Sequence, residues 1–163
     1  MAIFADKNSA MDSIDRDIIE TLEPDGRISF MELARAVSLS SNATADRVRR
    51  LRALGVITGF RTELSADALG FGLSAFIDVK LRSERPAEDF ERALADIPGV
   101  VECILTTGSF DFTLRVACRD RDDLVRIAEH LRTQAGAAET YTRILLRERR
   151  FGLMHSVRAK KRR

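Results

Sequence analysis

Near residue 72 the chain changes its hydrophobic period, and the change divides it into two kinds of structure. Before that point apolar residues recur at helical spacing: Ile14, Ile18, Ile19 and Leu22, then Leu33, Ala34 and Val37, then Val48 and Leu51. From Leu73 they alternate, with Leu73, Ala75, Ile77, Val79 and Leu81 set against Ser74, Phe76, Asp78, Lys80 and Arg82, the period of a strand with one buried face. A chain of 163 residues has room for two small domains. The expected division is a helical domain over 12–62, a connector over 63–72 broken by Ser65, Asp67, Gly70 and Gly72, a mixed domain over 73–151, and a basic tail over 155–163.

The first segment predicts three helices. One runs from Ser13 to Glu23 and stops at Pro24-Asp25-Gly26. The next, Phe30 to Val37, opens on a capping box of Ser29 and Glu32, with Ile28 and Leu33 at the staple positions. A third, capped by Ser40, runs to Leu54, where Gly55 supplies a left-handed stop. Its buried stripe is Ala45 or Thr44, then Val48 and Leu51. Val56 to Thr62 predicts a short β-hairpin wing turning at Gly59. Two helices joined by about three residues fit a helix-turn-helix, whose second helix enters the DNA major groove.

The charge distribution favours that use over a plain three-helix bundle. Between Ser40 and Arg61 stand Arg47, Arg49, Arg50, Arg52 and Arg61 against Asp46 alone. With Val48 and Leu51 inward, these arginines fall on the sides and outer face of the third helix, where they suit phosphates. Ser41, Asn42 and Thr44 in its first turn suit base edges, beside the capping Ser40. The tail adds Arg158, Lys160, Lys161, Arg162 and Arg163 without an acid, a second basic element that points to a polyanionic partner.

The second segment predicts strand, helix, strand, strand, helix, strand. The strand from Leu73 to Arg82 is followed by a helix opened by Pro86 and stopped by Pro98-Gly99. Strands Val100 to Thr107 and Phe112 to Cys118 join through Gly108-Ser109-Phe110-Asp111. A helix from Arg121 to about Thr133 precedes a final strand from Glu139 to Arg149. The fold class is therefore α+β, a winged helix-turn-helix followed by a ferredoxin-like βαββαβ domain. Ile97-Pro98-Gly99-Val100 recurs weakly as Gln134-Ala135-Gly136-Ala137 at the second helix-to-strand junction. Two helices cover one face of such a sheet. The other is expected to carry Phe76, Ile104, Ala117 and Leu145, a patch that predicts a symmetric dimer through Phe76, Ile104 and Leu145.

Other chemistry has little support. No apolar run approaches the ~18 residues of a membrane span, and Met1 to Met11 lacks a signal-peptide core, so a cytoplasmic location without membrane contact is expected. Cys103 and Cys118 lack metal-ligand spacing and are expected to be reduced, buried thiols. Neither metal nor cofactor is expected.

The chain resembles the Lrp/AsnC (feast/famine) family of transcription regulators over roughly residues 12–150. The matching residues are Asp15-Arg16-Asp17-Ile18-Ile19, Asp25-Gly26-Arg27-Ile28-Ser29, Leu33-Ala34, Leu39-Ser40, Arg47-Val48-Arg49-Arg50-Leu51, Leu54-Gly55-Val56-Ile57-Thr58-Gly59 and the hairpin Thr107-Gly108-Ser109-Phe110-Asp111. The resemblance implies a winged helix-turn-helix tied to an effector-binding RAM domain. It further implies sequence-specific binding of double-stranded DNA, dimers assembling to tetramers or octamers, and a small amino-acid effector at the interface between dimers. Carried onto this chain, it assigns effector contacts to Thr107, Gly108, Ser109, Phe110 and Asp111. Thr133, Gln134, Thr140 and Tyr141 are polar groups near the second helix-to-strand junction, of which Gln134 and Thr140 are further candidates, although Gln134-Ala135 replaces the family's frequent Leu-Pro. Glycine would let backbone amides approach a carboxylate and aspartate would accept from an ammonium group, while the same two residues could simply serve a tight turn.

Two other readings compete. Sirohaem decarboxylases use an Lrp-like architecture for tetrapyrrole chemistry, but the only histidines here are His130 and His155, and no nucleophile, base and orienting group stand together. No catalytic residue is assigned and the chain is not expected to be an enzyme. An interaction module that has lost DNA binding is the other.

Overall fold

The computed structural model describes residues 11–154. Tail residues 155–163 lie outside the described residues. Two compact units are present: one contains the described residues up to Thr62 together with those from Arg149 onward, the other Glu63–Glu148.

The first unit is built from α1 (Ser13–Leu22), α2 (Phe30–Ala36) and α3 (Ser41–Ala53). Each start is fixed by a side chain that satisfies amides the helix leaves open. Asp12 and Asp15 form a reciprocal capping box on α1, Ser29 and Glu32 form one on α2, and the Ser40 hydroxyl accepts from the Ala43 amide on α3. Ile18, Leu33, Val37, Val48 and Leu51 make the core.

The helix ends follow one pattern. At α2, Leu39 N–H donates to Ala34 carbonyl at 2.9 Å and Ser38 N–H to Arg35 carbonyl at 3.3 Å. At α3, Val56 N–H donates to Leu51 and Gly55 N–H to Arg52, both at 2.9 Å. This is the Schellman arrangement, which needs a left-handed residue just past the helix. Gly55 takes φ +68° without penalty, whereas Ser38 takes φ +55° with a side chain present. The turn between α2 and α3 is thus set by backbone hydrogen bonds strong enough to hold a serine there. Beyond α3 the expected wing does not form: residues 56–62 contain no strand. Val56 and Ile57 pack on the helical core instead, so burial of these two side chains replaces strand pairing.

The second unit follows the expected order, with β1 (Leu73–Leu81), α4 (Ala87–Leu94), β2 (Val100–Leu105), β3 (Phe112–Cys118), α5 (Arg121–His130) and β4 (Ala137–Ile144). Its sheet is antiparallel, in the order β2-β3-β1-β4. Ala75, Ile77 and Val79 of β1 and Phe112, Leu114, Val116 and Cys118 of β3 are buried with Phe90, Leu94, Ile97, Ile127 and Leu131. Segment 63–72 belongs to this unit and contains a short 3-10 turn, Asp67–Leu69.

Several boundaries differ from expectation. The last helix relaxes into a π-helical turn, Leu131–Ala135, because Leu131 and Ala135 are both buried there. The final strand ends at Ile144, not Arg149, where its pairing with β1 is exhausted at Ala75. Cys103 is exposed rather than buried because β2 is an edge strand. The weak repeat has a backbone cause: Gly99 and Gly136 take φ +93° and +89° at equivalent junctions, and a Cβ on Gly99 would lie 2.8 Å from the Ala117 carbonyl oxygen.

The strained turn yields a prediction. Ser38→Gly removes the left-handed penalty and, after the added freedom of the unfolded chain, stabilises the first unit by roughly 0.5–1 kcal/mol. Urea unfolding checks this, and an unchanged or lower midpoint contradicts it.

Candidate nucleic-acid interface and effector site

Along α3, Thr44, Val48 and Leu51 face the core. Thr44 is fully buried and its hydroxyl donates to the Ser40 carbonyl at 2.9 Å. This corrects its assignment to base contact, since the 3.6-residue period that buries Val48 also buries the position one turn earlier. Ser40 spends its hydroxyl on the cap. Ser41 and Asn42 remain exposed in the first turn.

The arginines divide by partner. Asp15 of α1 is fully buried, and its Oδ1 accepts from Arg47 Nη1 at 2.9 Å while its Oδ2 accepts from Arg50 Nη2. The Asp12 amide donates to Asp15 Oδ2 at 3.1 Å, and Arg47 Nη1 also reaches Asp12 Oδ2 at 2.7 Å. The Asp12 carboxyl is held below its ordinary range, first by the Asp15 amide and then by Arg47. Arg47 is held charged, first by Asp12 and then by Asp15. A carboxylate stripped of water is tolerated when opposite charges and hydrogen bonds surround it. Arg47 and Arg50 therefore tie α3 to α1 through Asp15, with the Arg50 side chain still 48 % exposed. The signal was available in sequence as an acid inside the first helix's apolar stripe.

The arginines outside the Asp15 cluster are Arg49, Arg52 and Arg61. Arg49 is 72 % exposed and pairs with its helical neighbour Asp46, a surface pair of small worth. Arg52 and Arg61 are exposed. Arg49 and Arg52 border a shallow cavity of about 570 Å³ with Ala53, Gly55, Ile57 and Thr58. Exposed first-turn polar groups beside outward guanidiniums on one helix suit a nucleic-acid backbone and groove.

In the second unit the β2–β3 hairpin is strapped to β1. The Asp111 amide donates to Val79 carbonyl at 2.9 Å, while its carboxylate accepts from the Leu81 amide at 2.8 Å and Lys80 Nζ at 2.9 Å. These contacts, the amide first, hold the Asp111 carboxyl below its ordinary range. Thr106 closes the turn, its amide donating to Asp111 carbonyl and its hydroxyl to Phe110 carbonyl. Thr107, Gly108 and Ser109 are exposed at the tip. Gly108 takes φ +117° with open space where a Cβ would stand. Phe110 stacks on Tyr141 of β4, ring centroids 6.4 Å apart, so the hairpin and β4 meet across β1. Thr140 is half-buried on β4 opposite Val79, whereas Gln134 is exposed on the π-helical turn. Lys80 is the neighbour that the candidate assignment omitted.

The uncovered sheet face is more polar than expected. Phe76 is half-buried between the guanidiniums of Arg115 and Arg143, 5.7 and 5.8 Å from its ring centre. Arg143 donates to both oxygens of Asp78, which also accepts from Thr113 at 2.7 Å, and Arg115 pairs with Glu148. Ile104 is exposed and Leu145 half-buried near this charged centre. The expected apolar patch is corrected to a mixed one, because the alternation that places Phe76 there places Asp78, Arg115 and Arg143 there as well.

Comparison with known proteins places this architecture. Residues 11–52 match the AsnC-type helix-turn-helix domain and residues 74–151 the Lrp/AsnC ligand binding domain. The chain is 36 % identical to the HTH-type transcriptional regulator AldR of Mycolicibacterium smegmatis over 83 % of its length and 81 % of that protein's. To the leucine-responsive regulatory protein of Escherichia coli K12 it is 33 % identical, covering 85 % and 86 %. A Neisseria meningitidis transcriptional regulator solved with L-methionine superposes with a TM-score of 0.80 at 27 % identity, covering 88 % and 94 % of the two chains. Helix-turn-helix and ligand-binding domain together define a DNA-binding transcription regulator rather than an enzyme. This chain belongs to the Lrp/AsnC family.

The buried aspartate gives an asymmetric prediction. Replacing both Arg47 and Arg50 by Ala leaves Asp15 buried without its cations and costs about 3–5 kcal/mol, whereas Asp15→Asn removes the buried charge and costs about 1–3 kcal/mol. Denaturant unfolding measures both. Equal losses, or a harmless double arginine variant, would contradict the lock.

Proposed function

We propose that this regulator binds double-stranded DNA sequence-specifically as a dimer, in the cytoplasm, and answers to a small amino acid at the Thr107–Asp111 hairpin. The observation that carries the effector assignment is the strapped turn. Asp111 and Thr106 fix a hairpin whose tip, Thr107 to Ser109, leaves its backbone exposed around an unobstructed Gly108. A rigid support under open amides suits a ligand carboxylate. A carboxylate offers about four acceptor positions, of which Asp111 uses two, leaving capacity for an ammonium group. Lys80 adds a cation at the same place. The Neisseria regulator's complex with L-methionine supports this class of ligand.

Phe76, Ile104 and Leu145 remain the proposed dimer face, with the Arg115, Arg143 and Asp78 cluster at its centre supplying orientation as well as area. Family resemblance supports assembly of such dimers to tetramers or octamers, with the hairpin between dimers. On α3 the proposed reading of bases falls to Ser41 and Asn42, and of phosphates to Arg49, Arg52 and Arg61.

Calorimetry with a panel of L-amino acids, beginning with L-methionine, tests the assignment. Asp111→Ala lowers affinity for the responding amino acid at least tenfold while ligand-free DNA affinity stays within about threefold, in a chain that light scattering shows to be a folded dimer. Unchanged effector affinity in that variant places the ligand elsewhere.

A further inference from the structure

The chain passes between the two units twice, at Thr62 to Glu63 and again at Glu148 to Arg149. The segment after the sheet domain is thus part of the DNA-binding unit, and a specific contact holds it there. The Met154 amide donates to both carboxylate oxygens of Glu23 at 3.3 and 3.2 Å. A Cβ on Gly152 would fall on that same carboxylate, well inside contact distance, so glycine is what lets the backbone approach Glu23. Leu153 and Met154 border a cavity of about 400 Å³ with Ile19, Leu22, Val56 and Phe60.

Glu23 is an uncommon choice for its place. It is the C-cap of α1, a helix with no basic residue in its last turn. The open carbonyls of a helix end disfavour a carboxylate, so an acid there is costly until a donor offsets it. Met154 supplies that donor from 131 residues away. The helix held in this way is also the one that positions α3, since Asp15 of α1 bonds both Arg47 and Arg50. Val56 and Phe60, which share the cavity with Met154, belong to the segment that leaves α3. A displacement of residues 149–154 therefore reaches α3 through α1 and one buried carboxylate, a contiguous route that does not pass through Thr62. We propose that residues 149–154 form a strap that conveys the effector state of the sheet domain to the recognition helix, with Gly152, Met154 and Glu23 as its fastening. This rests on the readings of α3 as the DNA-binding helix and of the hairpin as the effector site.

The test uses the full chain, a labelled duplex and the standard L-amino acids as probes. DNA affinity is measured without amino acid and at saturation, and the ratio of the two is the coupling between the sites. Glu23→Ala deletes the acceptor and Met154→Pro deletes the donor. Each brings that ratio at least threefold closer to one, while ligand-free DNA affinity and calorimetric amino-acid affinity stay within about twofold. The double variant loses no more than either single one, because both remove the same contact. Glu23→Gln keeps an oxygen acceptor and retains most of the coupling, whereas Gly152→Ala displaces Glu23 and loses it. Full coupling in Glu23→Ala or Met154→Pro overturns the proposal, and so does an amino acid that binds the parent chain without changing its DNA affinity. A parent chain that binds no amino acid strikes the effector reading instead, and one that binds no duplex strikes the reading of α3, so the failures are distinguishable.

Discussion

Asp15 is the constraint on which the DNA-binding unit depends. A fully buried carboxylate is unfavourable unless every oxygen finds a donor, and here the donors come from three places: Arg47, Arg50 and the Asp12 amide. Satisfying it fixes the rotation of α3 about its own axis relative to α1. Rotation is what decides which residues of a recognition helix face outward. One consequence is a division of labour among like residues: Arg47 and Arg50 hold the helix, while Arg49 and Arg52 point away from it. A second is that Thr44, which supplies a hydroxyl of the right type for a base, is committed to the core side.

The sheet domain solves a related problem at its hairpin. Glycine and exposed polar residues at a turn would by themselves give a mobile tip. Asp111 removes that freedom by bonding through its amide and carboxylate to consecutive positions of β1. The hairpin therefore has a rigid base in the sheet itself, and Phe110 against Tyr141 ties the same loop to the far edge strand.

Periodicity was the most legible part of the sequence. Alternation in Leu73–Leu81 and in Phe112–Cys118, the boxed start of α2 and the Ser40-capped start of α3 depend on local spacing and are reproduced. What spacing could not convey is which partner a charged group finds across 32 to 35 residues of chain, as for Arg47 and Arg50 with Asp15. The missing wing has the same origin, because Val56 and Ile57 carry strand propensity that packing on the helical core overrides. The polar character of the open sheet face was readable from Asp78, Arg115 and Arg143, but only with the register that sets Phe76 opposite Arg115 and Arg143. The seat for Met154 on Glu23 joins residues 131 positions apart and left no local mark.

An arginine-by-arginine salt titration of DNA binding distinguishes α3 arginines that hold phosphates from those that hold Asp15. With Arg49, Arg52 and Arg61 on phosphates in each protomer of a dimer, α3 and the segment after it contribute about −5 to the slope of log K against log salt. Arg49→Gln or Arg52→Gln then reduces the magnitude of the slope by nearly two, one phosphate per protomer. Arg47→Gln and Arg50→Gln weaken binding through loss of helix position and leave the slope unchanged. A drop in slope for the Arg47 or Arg50 variant as large as that for Arg49 or Arg52 would show that these guanidiniums leave Asp15 for the DNA, and would contradict the account.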